Sequence, residues 1–191
     1  MSQWSKKRRI MRGYDATAHI YDTRYAEEQA SKIEAALECL HIDKHSVVLD
    51  AGCGTGILFG YIAKIAEEMV GLDISKKALL HSRNRMKNLK NISLVQADVD
   101  NMPLKGDLFA YVFAFTLLQN MPTPDETLGE IERVARDNAI IVVTGMKKVF
   151  TMESFEDMLA NVDLEIVTLK EEGLKCYVAI CAFRKDQTLH T

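Results

Sequence analysis

Short apolar runs alternate with amphipathic stretches along this chain, and that alternation predicts an α/β architecture on a parallel sheet. SVVLD (46–50), EMVGLD (68–73), ISLVQAD (92–98), LFAYVFAFT (108–116) and NAIIVVTG (138–145) read as strands. The fourth run is apolar throughout, which predicts a central strand covered on both faces. Between them, residues 26–41 place Ile33, Leu37 and Leu40 at helical spacing, and residues 57–66 continue as a helix after a glycine-rich loop. Ser75 reads as the N-cap of a helix reaching Asn88. Thr123, Pro124 and Glu126 predict a capping box opening a helix to Arg136. Residues 150–162 give another helix, and residues 14–24 a short helix or ordered arm. Two late runs, Leu164–Leu169 and Leu174–Phe183, are separated only by residues 170–173. Strands joined that tightly are antiparallel, so the sheet is mostly parallel with an antiparallel element at its end.

With 191 residues, 48% of them hydrophobic, the chain can bury one sizeable core, which argues against disorder. The longest apolar stretch, Leu108 to Leu118, is too short to span a bilayer, so no membrane insertion is expected. The opening residues lack the apolar run of a secretory signal. Cys39, Cys53, Cys176 and Cys181 show no metal-finger spacing and read as reduced thiols of a cytoplasmic protein. The histidines show no ligand spacing, and no metal is assigned. The net charge of −3 hides an asymmetry: residues 1–13 carry Lys6, Lys7, Arg8, Arg9 and Arg12 and no acid, leaving −8 on the remainder. Such a tail reads first as a solvated, mobile terminus. The chain therefore divides into a basic tail and cap segment (1–25) and a main domain (26–191).

The chemistry concentrates in VVLDAGCGTG, residues 47–56, where Gly52, Gly54 and Gly56 lie between a strand and a helix. Glycines there permit positive φ and close approach of the backbone to a ligand. The next strand ends in Asp73, placed as the acid that takes ribose hydroxyls in dinucleotide folds. The spacing nevertheless departs from the dinucleotide fingerprint: Ile57 stands where its third glycine would be, and no phosphate-loop motif is present. Asp50, at the end of the first strand, would repel a pyrophosphate but suits a cation. A ligand with a ribose, a positive charge and no phosphate points to S-adenosylmethionine. The acids Asp50, Asp73 and Asp98 end three successive strands, and Cys53 in the loop reads as a small filler.

On these motifs the chain resembles the class I S-adenosylmethionine-dependent methyltransferases, especially the small quinone-biosynthesis-like (methyltransferase type 11) group. The resemblance covers residues 14–183. It implies a Rossmann-like methyltransferase fold: α/β, a seven-stranded mostly parallel sheet with one antiparallel strand, helices on both faces. VLDAGCGTG resembles the first motif, with Asp50, Ala51, Gly52, Cys53, Gly54 and Gly56 at the cofactor. GLDIS resembles the second, with Asp73 on both ribose hydroxyls and Ile74 beside it. QADVDNMPL resembles the third, with Asp98 accepting from the adenine amino group and Val99 against the ring. The resemblance places Phe115 and Thr116 near the methionyl end and makes YDATAHIYD the segment that closes over the cofactor, with Tyr21 as its contact. Three positions depart from the pattern: Phe109-Ala110 replaces Phe-Asp, Asn120 replaces a histidine, and Asp137-Asn138-Ala139 replaces Pro-Gly-Gly. Loss of the histidine removes a general base, and no other is evident.

These readings make the chain a methyltransferase, with S-adenosylhomocysteine as product, acting on an acceptor that is most simply a small molecule. The alternative is an RNA (tRNA or rRNA) or protein acceptor, using Trp4, Lys6, Lys7, Arg8 and Arg9 or a partner subunit. Against base or glutamine amino methylation, TLLQN stands after the fourth strand where an NPPY-type tetrapeptide would be. No insertion remains to serve as a substrate domain. Acceptor choice is therefore expected to rest on residues 1–25, on the loops after strands four and five, or on a partner.

Overall fold

The computed structural model describes residues 2–184, and within the first helix only the backbone of residues 18, 19, 21 and 22. Seven strands form one sheet in the order β3-β2-β1-β4-β5-β7-β6. They are β1 (Val47–Ala51), β2 (Glu68–Asp73), β3 (Ile92–Gln96), β4 (Phe109–Ala114), β5 (Ala135–Met146), β6 (Leu164–Lys170) and β7 (Cys176–Phe183). β7 runs antiparallel to both β5 and β6, while β1 to β5 pair in parallel. The helices are α1 (Gln3–Leu37), α2 (Phe59–Ile62), α3 (Lys76–Arg85), α4 (Pro124–Val134) and α5 (Met152–Ala160).

Period-two alternation along the central strands divides the core between the two sheet faces. Val112 and Ala114 of β4, Ile141 and Val143 of β5, and Ala179 and Cys181 of β7 pack with Leu128, Ile131 and Phe155 of α4 and α5. Phe113, Val142, Val178 and Ile180 face the other way, onto Ile33 and Ala36 of α1 and Phe59 and Ile62 of α2. Helices thus cover both faces. β4 lies between β1 and β5, as its unbroken apolar sequence predicts. The Asp137-Asn138-Ala139 segment lies in a register break: Phe109 pairs with Ala135 and Tyr111 with Ile140, so residues 136–139 have no partner on β4.

Four local expectations change. The basic tail, the arm at 14–24 and the helix from residue 26 are one unbroken 35-residue helix, with no boundary at residue 25. The tail is not simply solvated, because Lys7 is only 8% exposed. The helix expected at 57–66 is one turn, α2. The chain turns away because the Asn91 amide donates to the carbonyls of Ala63, Ala66 and Glu67 (2.9, 3.0 and 3.2 Å), which a continuing helix would have used itself. The capping box at Thr123 does not form; Gln3 of α1 donates to both Thr123 Oγ1 (3.0 Å) and Glu126 Oε1 (3.2 Å). By contrast, Ser75 caps α3, accepting from the Ala78 N–H at 3.0 Å.

Candidate functional site

The C-terminal ends of β1, β2 and β4 meet at the glycine loop, and α1 lies across them. A cavity of about 100 Å³ opens there, lined by Gly52, Gly54, Asp73, Ile74, Asp98, Val99, Phe115 and Thr116 and, from α1, by Lys7, Ile10 and Tyr14. A smaller recess behind the loop is lined by Asp50, Cys53, Gln29 and Phe115. Most residues expected at a cofactor therefore converge. Two do not line either space. Ala51 is fully buried in the sheet. Gly56 has a positive φ, and a Cβ there would come within 2.6 Å of Phe59, so it serves packing between loop and helix. Gly54 is different: also at positive φ, it faces open space, so its backbone can meet a ligand directly. The side chain of Tyr21 lies outside the described residues.

The acids have unlike surroundings. Asp73 accepts from the N–H groups of Gly54 (2.9 Å) and Ser75 (2.7 Å), fixing its carboxylate at the cavity wall. Burial pushes its pKa up, and these backbone hydrogen bonds oppose the shift. Asp50 is 3% exposed and has no hydrogen-bond or ion-pair partner among the described residues. Burial, reinforced by the nearby charge of Asp73, raises its pKa to about 8. A carboxylate placed this way lacks a cation. Asp98 already has one: Lys7 Nζ donates to its Oδ2 at 2.7 Å and also pairs with Asp100. Burial lowers the Lys7 pKa, but the hydrogen bonds and charges of Asp100 and Asp98 outweigh it and the net shift is upward. Cys53 is buried, which pushes its thiol well above the ordinary range and suits a filler rather than a nucleophile.

Thr116 closes one side of the first cavity in a strained conformation. Its φ is +58°, unusual for a β-branched residue. The surroundings hold it there: its N–H donates to Thr144 Oγ1 (2.8 Å) and its carbonyl accepts from Asn120 Nδ2 (2.7 Å). Gln29 and Lys32 both donate to its Oγ1, at 3.1 and 3.0 Å. Lys32 is completely buried, with Glu28 as its counter-charge at 3.4 Å. Asn120 also donates to the Tyr14 hydroxyl at 2.9 Å, so it both caps the turn and faces the cavity. Burial raises the Tyr14 pKa, which keeps the phenol protonated at neutral pH.

Beyond Tyr14, Thr116 and Asn120 a second, open cleft of about 850 Å³ begins, sharing those three residues and Ile10 with the first cavity. Sequence reasoning missed Lys7, Gln29, Lys32 and Gln119 here. One signal was available: Lys7, Ile10, Tyr14 and Thr17 recur at spacings of three and four, a single helical face turned to the site. Among the described residues no group of three His, Cys, Asp or Glu side chains is placed to hold a metal ion. Nor is any described helix long and apolar enough to cross a membrane.

A family model described as Methyltransferase domain matches residues 42–182, and the chain belongs to that family. Its fold is that of the class I S-adenosylmethionine-dependent methyltransferases. A Burkholderia thailandensis 1,6-didemethyltoxoflavin-N1-methyltransferase, solved with 1,6-didemethyltoxoflavin and S-adenosylhomocysteine bound, superposes with a TM-score of 0.81. The match covers 97% of this chain and 92% of that one at 14% identity, a likeness of fold. Malonyl-(acyl-carrier protein) O-methyltransferase of Marinomonas sp. is 28% identical over 78% of this chain and 55% of its own. Demethylmenaquinone methyltransferase of Staphylococcus carnosus is 31% identical over 56% of this chain and 45% of its own. The chain thus spans about half the length of the curated relatives it matches. Helix α1 lies before the matched region, so its share of the wall between the two cavities, Ile10 and Tyr14, comes from outside that region.

Proposed function

We propose that this chain transfers a methyl group from S-adenosylmethionine to a small molecule seated in the second cleft. One observation carries the reading: Asp50 is a buried carboxylate without a counter-ion, behind a glycine loop whose next strand presents Asp73. A cationic amino-acid end satisfies Asp50, and a ribose diol fits the fixed carboxylate of Asp73. Asp98 and Val99 line the far end of the same cavity, where an adenine belongs. The cofactor supplies an electrophilic methyl group on a sulfonium, and the protein's share is placement.

Tyr14, Thr116 and Asn120 line both the cavity and the cleft, so they aim the acceptor and exclude water. Holding two reactants in line removes roughly 7–11 kcal/mol of barrier. Tyr14 is protonated at neutral pH and serves as a hydrogen-bonding wall, not a base. The reaction therefore suits an acceptor that is nucleophilic as it arrives. Small-molecule acceptors are named in the relatives 1,6-didemethyltoxoflavin-N1-methyltransferase and demethylmenaquinone methyltransferase. The four cysteines are free thiols, which supports a cytoplasmic setting.

Calorimetry with S-adenosylhomocysteine tests the reading. Wild type is expected to bind, and Asp73→Ala to weaken binding at least roughly tenfold, the loss of a charge-assisted hydrogen-bond pair. No heat from wild type would overturn the proposal. A second reading rests on a separate observation: Trp4 is half exposed, and Arg8, Arg9 and Arg12 line one surface groove of α1. If that face takes RNA, reversing Arg8 and Arg12 to Glu abolishes a salt-dependent tRNA gel shift.

A further inference from the structure

The second cleft is polar in a specific way. Gln119 lines it, and both its amide oxygen and nitrogen are buried without a hydrogen-bond partner among the described residues. A buried amide in that state matches a ligand that both donates and accepts. The charged side chains on the lining are Lys147, Lys148, Lys175 and Glu28. Lys147 is held by Glu171 at 3.2 Å, and Lys175 reaches Glu28 at 3.4 Å. Lys148 has no ion-pair partner among the described residues. The lining thus carries three lysines against one glutamate, with Lys148 left unpaired among the described residues, on a chain whose net charge is −3. Tyr25 and Val149, both large and exposed, add apolar surface.

Resting on the methyltransferase reading, we propose that this cleft selects a small anionic acceptor. Lys148, with Lys147 and Lys175, draws its carboxylate or phosphate, and the Gln119 amide pairs with a polar group nearer the methyl path. The shared wall of Tyr14, Thr116 and Asn120 makes the placement productive, because a molecule bound here abuts the methionyl end of the cofactor cavity. The same lysines disfavour cationic acceptors of similar shape, so selection works by repulsion as well as attraction.

The test uses the full chain saturated with S-adenosylhomocysteine, titrated by NMR with phenyl phosphate, benzoate, benzamide and benzylamine. Phenyl phosphate and benzoate are expected to bind roughly tenfold more tightly than benzamide or benzylamine, and to weaken as salt screens the lysines. Lys148→Glu with Lys175→Glu should remove that preference while S-adenosylhomocysteine affinity stays unchanged. Gln119→Leu should weaken both anions with the charges intact. Equal binding of benzamide and benzoate, or a preference that survives charge reversal, overturns the proposal while the cofactor reading stands. Failure of S-adenosylhomocysteine to bind overturns both. Displacement of phenyl phosphate by tRNA would assign the lysines to nucleic acid and also overturn it.

Discussion

Burial and the nearby charge of Asp73 raise the Asp50 pKa to about 8, so the ligand-free protein is expected to hold a proton there at neutral pH. With its pKa raised to about 8, the folded chain binds a proton that the unfolded chain releases above pH ~4. The Asp50 contribution to the stability of the ligand-free protein therefore falls as pH rises from about 4 to about 8. Asp50→Asn is expected to flatten that slope and to raise the melting temperature at pH 8, followed by calorimetry in a buffer series. The same replacement should weaken S-adenosylmethionine, whose positive charges favour the ionised carboxylate. Binding to wild type should then release up to about one proton near pH 7, and affinity should rise with pH toward 8. Titrations in buffers of different ionisation enthalpy read that proton directly. Gly56→Ala makes a packing prediction. The new methyl group meets Phe59 at positive φ, so a stability loss of about 1–3 kcal/mol is expected in urea unfolding, with little direct effect on ligand contacts.

At the scale of elements, α1 is held by polar contacts as much as by apolar ones. Its docked face carries Lys7, Gln29 and Lys32 beside Ile33 and Ala36. Lys7→Met leaves Asp98 and Asp100 facing each other without a cation, a cost of ~3 kcal/mol if the helix stayed seated. Releasing the first turns of α1 costs less, so the expected outcome is local. Hydrogen exchange should quicken over residues 3–14 while the melting temperature moves little. This also explains what the sequence disclosed. Strands β1 to β5, the closing hairpin and the Ser75 cap were legible because apolar runs, turn length and a hydroxyl before a helix report on local physics. The three acids were legible because strand ends fix their place. Of α1, the stretch from residue 26 was legible in the spacing of Ile33 and Leu37, but its unbroken course from Gln3 was not, because the first turns dock through the stem of Lys7 as well as through apolar residues. The Thr123 box failed for a related reason: its side chains turned to Gln3, 120 residues away in sequence.

For the whole molecule, the region matched at 42–182 leaves part of the core outside it. Ile33 and Ala36 belong to the core on one sheet face, next to Phe59, Phe113 and Val178. A chain starting at residue 42 exposes that face and loses the Gln29 and Lys32 contacts that hold Thr116 in its strained conformation. Such a truncation is expected to melt at least roughly 10 °C lower by circular dichroism, since each kcal/mol shifts a chain of this size by about 2–4 °C. It should also lose measurable S-adenosylhomocysteine binding.

Because one helix face walls both cavities, the molecule has a built-in schedule. With Lys7 and Ile10 seated, the inner cavity holds about 100 Å³, well below the roughly 300 Å³ at which small-molecule sites begin. Admitting a nucleoside is expected to need withdrawal of the first turns of α1, which takes Ile10 and Tyr14 away from the inner wall of the outer cleft. Turnover should therefore be sequential and ordered, with the methyl donor arriving first and its spent form leaving last. S-adenosylhomocysteine should then compete with the donor and inhibit noncompetitively against the acceptor.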